Sequence, residues 1–209
     1  MNRLLEKIKS NNTPQKIPIK IEKYSIANSC FYNVEDKISI DNGEIVYGWK
    51  LHQSKFLAEA ERHAVWKSPI GELIDITSGS TNQNSILFLE EDKGWKYTGE
   101  FTDNLRINLT NNPLVDDLIL LNETISKLWK KSKRKSRLEL DILEPINNLI
   151  NLLEKDKVKR GIFIERGNTL NSNCYCENNN VYKECHGLEL DKVYNELFKK
   201  VNELIKTSC

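Results

Sequence analysis

The chain has 209 residues, enough for one domain with a sizeable core and a small appended module, or for two small domains. Its 31 basic and 30 acidic side chains leave a formal net charge of +1, which excludes a global field pulling it toward nucleic acid or a membrane surface. Partners therefore have to be sought in local features.

Met1 to Ser10 is an amphipathic, lysine-bearing stretch without the uninterrupted apolar core of a signal peptide, and no later window reaches membrane-spanning length. The expectation is a cytoplasmic protein with no membrane partner, whose five cysteines are reduced and available for metal binding or catalysis. From Ile17 to Leu109 β-branched and aromatic residues alternate with turn signals, among them Asp41-Asn42-Gly43, Ser68-Pro69-Ile70-Gly71 and Lys93-Gly94, as in a region of strands. Within it Phe31, Val34 and Ile38 have helix spacing, and Ser29 stands where a cap is needed.

From Asn112 to about Lys159 the pattern turns helical. Asn112-Pro113 is a cap followed by proline at the first helical position, and Leu114, Leu118, Leu121, Ile125 and Leu128 continue one face. A second helical stretch runs from Leu138 to Leu153, with Pro145 marking a kink or a fresh start. Between the two lies the basic run Lys130 to Arg137, six charges in eight residues. A solvated linker is its plain reading and RNA contact the alternative; no aromatic interleaving supports the latter. Leu190, Val193, Tyr194, Leu197, Val201, Leu204 and Ile205 make the terminal segment an amphipathic helix. Cys209 reads as a solvated thiol, since a prenylation box would need cysteine where Lys206 stands.

Ahead of that helix, Cys174-Tyr175-Cys176 and Cys185-His186 are separated by eight residues, close enough for one turn to gather both pairs around a tetrahedral zinc ion. The segment is polar and nearly without apolar residues, so it lacks a core and would take folding energy from the metal. Gly167, Asn178 to Asn180 and Gly187 suit left-handed backbone conformations. From Gly167 through Cys176 to the ending Tyr182-Lys183-Glu184-Cys185-His186-Gly187, the segment resembles the SEC-C motif over about a tenth of the chain. That resemblance implies a structural zinc held by Cys174, Cys176, Cys185 and His186, and a module that docks a protein partner or protein substrate. With four protein ligands the coordination sphere is closed to substrate.

A second constellation is Cys30, His63 and Asp75. A cysteine opening a helix gains from unpaired backbone N–H groups and the helix dipole, which favour the reactive thiolate. Glu59 to Trp66 alternates like a strand, the Ser-Pro-Ile-Gly turn follows, and Glu72 to Thr77 reads as a second strand. Such a hairpin brings His63 beside Asp75, giving a base and the group that orients it. His63-Ala64-Val65-Trp66 and Asp75-Ile76-Thr77, with Cys30 ahead of them, resemble the transglutaminase-like, papain-related superfamily over about half of the chain. The resemblance implies an α+β fold with an antiparallel sheet and an N-terminal nucleophile helix, in which Cys30, His63 and Asp75 form a catalytic triad. Glu59 and Glu61 either line a cleft or form the solvated face of that strand; Trp49 and Trp66 are candidates for walls, and His52 for an exposed residue.

The organisation expected is therefore a papain- or transglutaminase-like domain over 1–110, a helical connection over 111–160 and a zinc module with a terminal helix over 161–209. The function expected is cysteine-dependent acyl transfer, of the protease, amidase, deamidase or transglutaminase type. The alternatives are a non-catalytic, zinc-dependent adaptor and a factor associated with RNA or the ribosome.

Overall fold

A computed structural model describes residues 1–79, 83–137, 139–176 and 178–207. Cys209, part of the polar run between Thr77 and Ser85, and Glu177 lie outside the described residues. The chain divides into two compact units, the first Met1–Leu109 with Ser136 and Arg137, the second Thr110–Lys135 with the chain from Glu139 onward. Among the described residues no helix is long and apolar enough to cross a membrane.

The first unit is α+β. Its elements are α1 (Asn2–Ile8), β1 (Gln15–Pro18), α2 (Cys30–Asp41), β2 (Glu44–Gln53), β3 (Leu57–Lys67), β4 (Leu73–Ile74), β5 (Ser85–Glu90) and β6 (Leu105–Asn108). The strands form one antiparallel sheet in the order β1-β5-β2-β3-β4, with β6 added to the early part of β3. A bridge from Ile19 to Asp75 brings the chain after β1 back to the residue after β4, so the sheet nearly closes into a barrel.

β3 is the central strand and buries both its faces over His63–Trp66. One face carries Ala58 and Ala60 beneath α1, with Leu4, Ile8, Trp49 and Leu51, and further along Ala64 and Trp66 beneath α2, with Phe31 and Val34. The opposite face packs Val65 against Ile17, Ile86 and Phe88. Gly48 on β2 stands opposite His63 in register. A Cβ there would lie 2.3 Å from the Leu89 carbonyl oxygen and 2.4 Å from the Phe88 ring, so only glycine lets strands β2 and β5 close at this point.

Two local expectations change. Ser29 precedes α2, but its side chain caps nothing. The strand expected over Glu72–Thr77 is only Leu73–Ile74, because Asp75 leaves β3 to bond Pro18 and Lys20 through its backbone. Of the two tryptophans proposed as walls, Trp49 belongs to the α1 cluster, whereas Trp66 lies in the same buried cluster as Cys30 and donates its indole N–H to the Asn42 carbonyl.

The second unit is helical: α3 (Pro113–Trp129), a two-residue hairpin β7 (Lys133–Arg134) and β8 (Leu140–Asp141), α4 (Glu144–Glu165), a 3₁₀ turn (Tyr182–Glu184) and α5 (Leu190–Thr207). Asn112 caps α3 by accepting from the Leu114 N–H at 3.1 Å, as its Asn-Pro start requires. Pro145 falls in the first turn of α4 and marks a fresh start rather than a kink. The apolar face of α5, with Tyr194 and Val201 buried, packs on Leu121, Ile125 and Leu128 of α3 and Ile146 and Ile150 of α4. The basic run contains part of the β7–β8 hairpin rather than forming a plain linker; its last residue, Arg137, belongs to the first unit and pairs there with both Glu35 and Asp36 at 2.6 Å.

Candidate active site and metal centre

Each side chain of the first site is placed by a different element. Cys30 is the first residue of α2, His63 lies on β3, and Asp75 follows β4 after the Ser68–Gly71 turn. His63 Nε2 is 3.1 Å from Asp75 Oδ1, with both side chains buried. The approach is bent, so Nε2 is in close charge contact without a well-directed hydrogen bond. Catalytic contacts of this kind commonly tighten only in the substrate complex. With Nε2 committed to the carboxylate, Nδ1 is the nitrogen left for a thiol.

Burial alone would lower the pKa of His63; the nearby Cys30 and the Asp75 carboxylate outweigh it and raise the value to about 10. Burial would likewise raise Asp75, but bonding and charge from His63, then the Thr77 N–H, hold its carboxyl below the usual carboxylate range. Thr77 N donates to Asp75 Oδ1 at 3.1 Å, which fixes the carboxylate in an Asx turn.

These shifts have a definite sign in stability. His63 binds its proton more tightly folded than unfolded, so its contribution is complete below its ordinary value of 6.5 and disappears as pH rises toward about 10. Asp75 acts oppositely, its contribution fading as pH falls through the carboxylate range. Thermal melts from pH 6 to 10 are expected to show a falling midpoint that flattens in His63→Gln.

Exposure is 6 % for Cys30, 4 % for His63 and 1 % for Asp75, so a bulky substrate reaches them only if neighbouring groups move. A groove of about 400 Å³ on the same unit is lined by Tyr47, Lys67, Leu73, Glu91 and Trp95 and by none of the three. Tyr47 and Trp95 also pack on Phe31, the neighbour of Cys30, with ring centroids 6.1 and 5.9 Å apart. Glu61, offered as a cleft residue, pairs with the exposed His52 at 3.6 Å; Glu59 bonds Arg106 at 2.8 Å.

The sequence reading passed over Asn33. It is 2 % exposed and sits one turn after Cys30, within the apolar series Phe31, Val34, Ile38. A polar residue on the buried side of a helix was the available signal, since burial obliges it to find partners.

In the second unit the ligand atoms of Cys174, Cys176, Cys185 and His186 all lie within 4.8 Å of one another. Cys174 Sγ is 3.2 Å from His186 Nδ1, Cys185 Sγ is 3.4 Å from the same nitrogen, and Cys176 Sγ is 3.3 Å from Cys185 Sγ. Bond lengths of about 2.3 Å to sulfur and 2.0 Å to nitrogen make the edges of a zinc tetrahedron about 3.5–3.8 Å, so these three edges fit to within a few tenths of an ångström and the widest separation, up to 4.8 Å, would close by about 1 Å around the ion. All four described cysteines are free thiols. The Asn178 backbone N–H, then hydrogen bonding to Cys185, holds the Cys176 thiol below its usual range.

Tyr182 organises this loop. Its ring is fully buried, stacks on Phe163 of α4 at 5.7 Å, and its backbone bonds Ser172, Cys185 and Gly187. Tyr175 donates its hydroxyl to Asp156, which also pairs with the buried Arg160 at 2.7 Å. These α4 contacts were invisible to local spacing. Gly187, expected to serve a left-handed turn, does not have a positive φ. It is glycine for space, because a Cβ would lie 2.5 Å from Tyr182 Cε1. Gly187→Ala is expected to cost about 2–3 kcal/mol by overpacking an immobile ring, read as a lower melting midpoint and weaker metal retention.

Comparison of the chain with protein-family models, with curated proteins and with solved structures finds no match in any of the three.

Proposed function

We propose that the first unit is a cysteine-dependent acyl-transfer enzyme of the transglutaminase-like, papain-related kind, with Cys30 as nucleophile, His63 as proton shuttle and Asp75 as the group that orients His63. The observation that carries the reading is the buried pair of a strand histidine and a carboxylate 3.1 Å from its Nε2, beside a helix-opening cysteine whose charge acts on that histidine, all three from separate elements. The reaction asks for a thiolate beside an imidazolium, and the raised pKa of His63 supports the imidazolium half of that pair. The Cys30 thiolate adds to an amide or thioester carbonyl, His63 gives its proton to the leaving amine or thiol, and an acyl–Cys30 thioester remains. Water or an acceptor amine then releases the acyl group, with His63 taking up the proton. Substrate approaches from the groove beside Tyr47 and Trp95 once the aromatic wall at Phe31 yields.

In the second unit Cys174, Cys176, Cys185 and His186 hold a structural zinc in a SEC-C-like module that presents a protein partner or substrate, in a cytoplasmic protein. Zinc supplies a closed tetrahedral centre that fixes the loop rather than a reactive position.

The near-complete burial of the triad favours a second reading, a zinc-dependent adaptor in which the three polar groups only staple the sheet. Intact-mass analysis after incubation with a panel of small thioester acyl donors separates the two. An acyl adduct on Cys30 that is absent in His63→Ala supports the enzyme; a Cys30 that stays free with every donor, in a protein that still binds zinc, supports the adaptor.

A further inference from the structure

Resting on the catalytic reading above, we infer that Asn33 is a positioning residue that fixes the nucleophile helix against the acid end of the triad. It lies three residues after Cys30, so the two share the inner side of α2 within a single turn. Its amide is fully used by groups that flank the site on either side. Oδ1 accepts from the Ile26 N–H at 2.9 Å, and Nδ2 donates to the Ile26 carbonyl at 2.9 Å and to Thr77 Oγ1 at 3.1 Å.

The first two bonds clasp one residue of the segment that leads into Cys30. The third reaches the strand end that carries Asp75, and there the Thr77 N–H bonds Asp75 Oδ1. A continuous path therefore runs from the helix that places the thiol, through Asn33 and Thr77, to the carboxylate that places His63. A leucine would satisfy the apolar packing of Phe31 and Val34 but would leave the Ile26 backbone and the Thr77 hydroxyl without these bonds. The Ser25 hydroxyl, which accepts from the Ser78 N–H at 3.2 Å, adds a second tie between the same two segments. Because Ser29 makes no cap, the Asn33 clasp on Ile26 substitutes for a capping interaction in fixing where α2 begins.

Thr77→Val removes only the hydroxyl that Asn33 addresses and keeps both the shape and the backbone N–H that Asp75 uses. The test is the rate of Cys30 alkylation by iodoacetamide at pH 6 in the zinc-loaded full chain carrying Cys209→Ser, compared among Thr77→Val, Thr77→Ser, Asn33→Leu, His63→Ala and the unsubstituted site. Thr77→Val is expected to slow the reaction about 10- to 100-fold, the range that misplacing a reactive group by an ångström produces, while Thr77→Ser keeps the original rate. Asn33→Leu, where it folds, is expected to slow it comparably and to add little when combined with Thr77→Val. A purely structural role would lower the melting midpoint and leave the pH 6 rate unchanged. If the rate depends on His63 but Thr77→Val matches the unsubstituted protein, the positioning role is overturned and the triad stands. If the rate is indifferent to His63, both fall.

Discussion

Cys174→Ser is expected to release the metal and unfold the loop between Thr169 and Leu188, with the zinc content falling from one ion per chain to none. The loop has little apolar content of its own beyond Tyr175, Val181 and Tyr182, and its four ligand atoms are gathered within 4.8 Å without any covalent link. In isolated zinc-finger peptides metal binding supplies about 10–16 kcal/mol of folding free energy. The loss in this protein is expected to be smaller, because the burial of Tyr182 on Phe163 and the bond from Tyr175 to Asp156 do not run through the ion. Amide exchange then shows α3, α4 and much of α5 still protected while the backbone bonds from Cys174 to Asn180 and from Cys185 to Tyr182 are lost. Chelator titration followed by a chromogenic zinc indicator gives the stoichiometry. A Cys174→Ser protein that retains one tightly held zinc would show that the ligand set is wrong.

His63→Ala carries the second large effect. A general acid–base group in the transition state is worth about 10²–10⁴-fold, so loss of the imidazole is expected to reduce acyl transfer by at least two orders of magnitude. Asp75→Asn is expected to fall less far in rate. It keeps the acceptor for the Thr77 N–H but loses the negative charge that stabilises the imidazolium. Its activity is therefore expected to fail first at high pH, where His63 gives up its proton. His63→Ala also leaves Asp75 buried and without its counter-charge, so its melting midpoint is expected to fall as well, most near neutral pH and just below it, where His63 carries its proton, and less toward pH 10. Activity and midpoint can be separated by assaying well below the melting transition.

Much of the site was legible because its signals are local. The Cys-x-Cys and Cys-His pairs, eight residues apart, pointed to the four side chains that the fold gathers into a group able to hold a metal ion, and Asn112-Pro113 gave the start of α3 through cap chemistry. Alternation in β3 and the Ser-Pro-Ile-Gly turn brought His63 and Asp75 together, although Asp75 stands just past the two-residue β4 rather than within a strand. What local patterns lack is non-local pairing. The placement of β1 between β5 and the end of β4, which is what shortens β4 and frees Asp75 to turn inward, depends on contacts more than fifty residues apart. Asn33 was hidden for the same reason, its main partners being Ile26 and a threonine forty-four residues on. Arg160 and Asp156 carry no local signal of their partners, since the groups that cover them, Tyr182 and Tyr175, come from the cysteine loop. Gly187 was read for its backbone freedom when the constraint was steric.

The most direct test of the central claim is site-resolved labelling of the zinc-loaded protein with a limiting amount of iodoacetamide at pH 6, followed by peptide mass spectrometry. A thiolate held by His63 predicts that label is concentrated on Cys30, ahead of the metal-bound thiols and Cys209, and that His63→Ala abolishes this preference. Labelling of Cys30 that is absent, or that is the same with and without His63, would contradict the catalytic pair and leave the zinc loop as the functional part of the molecule.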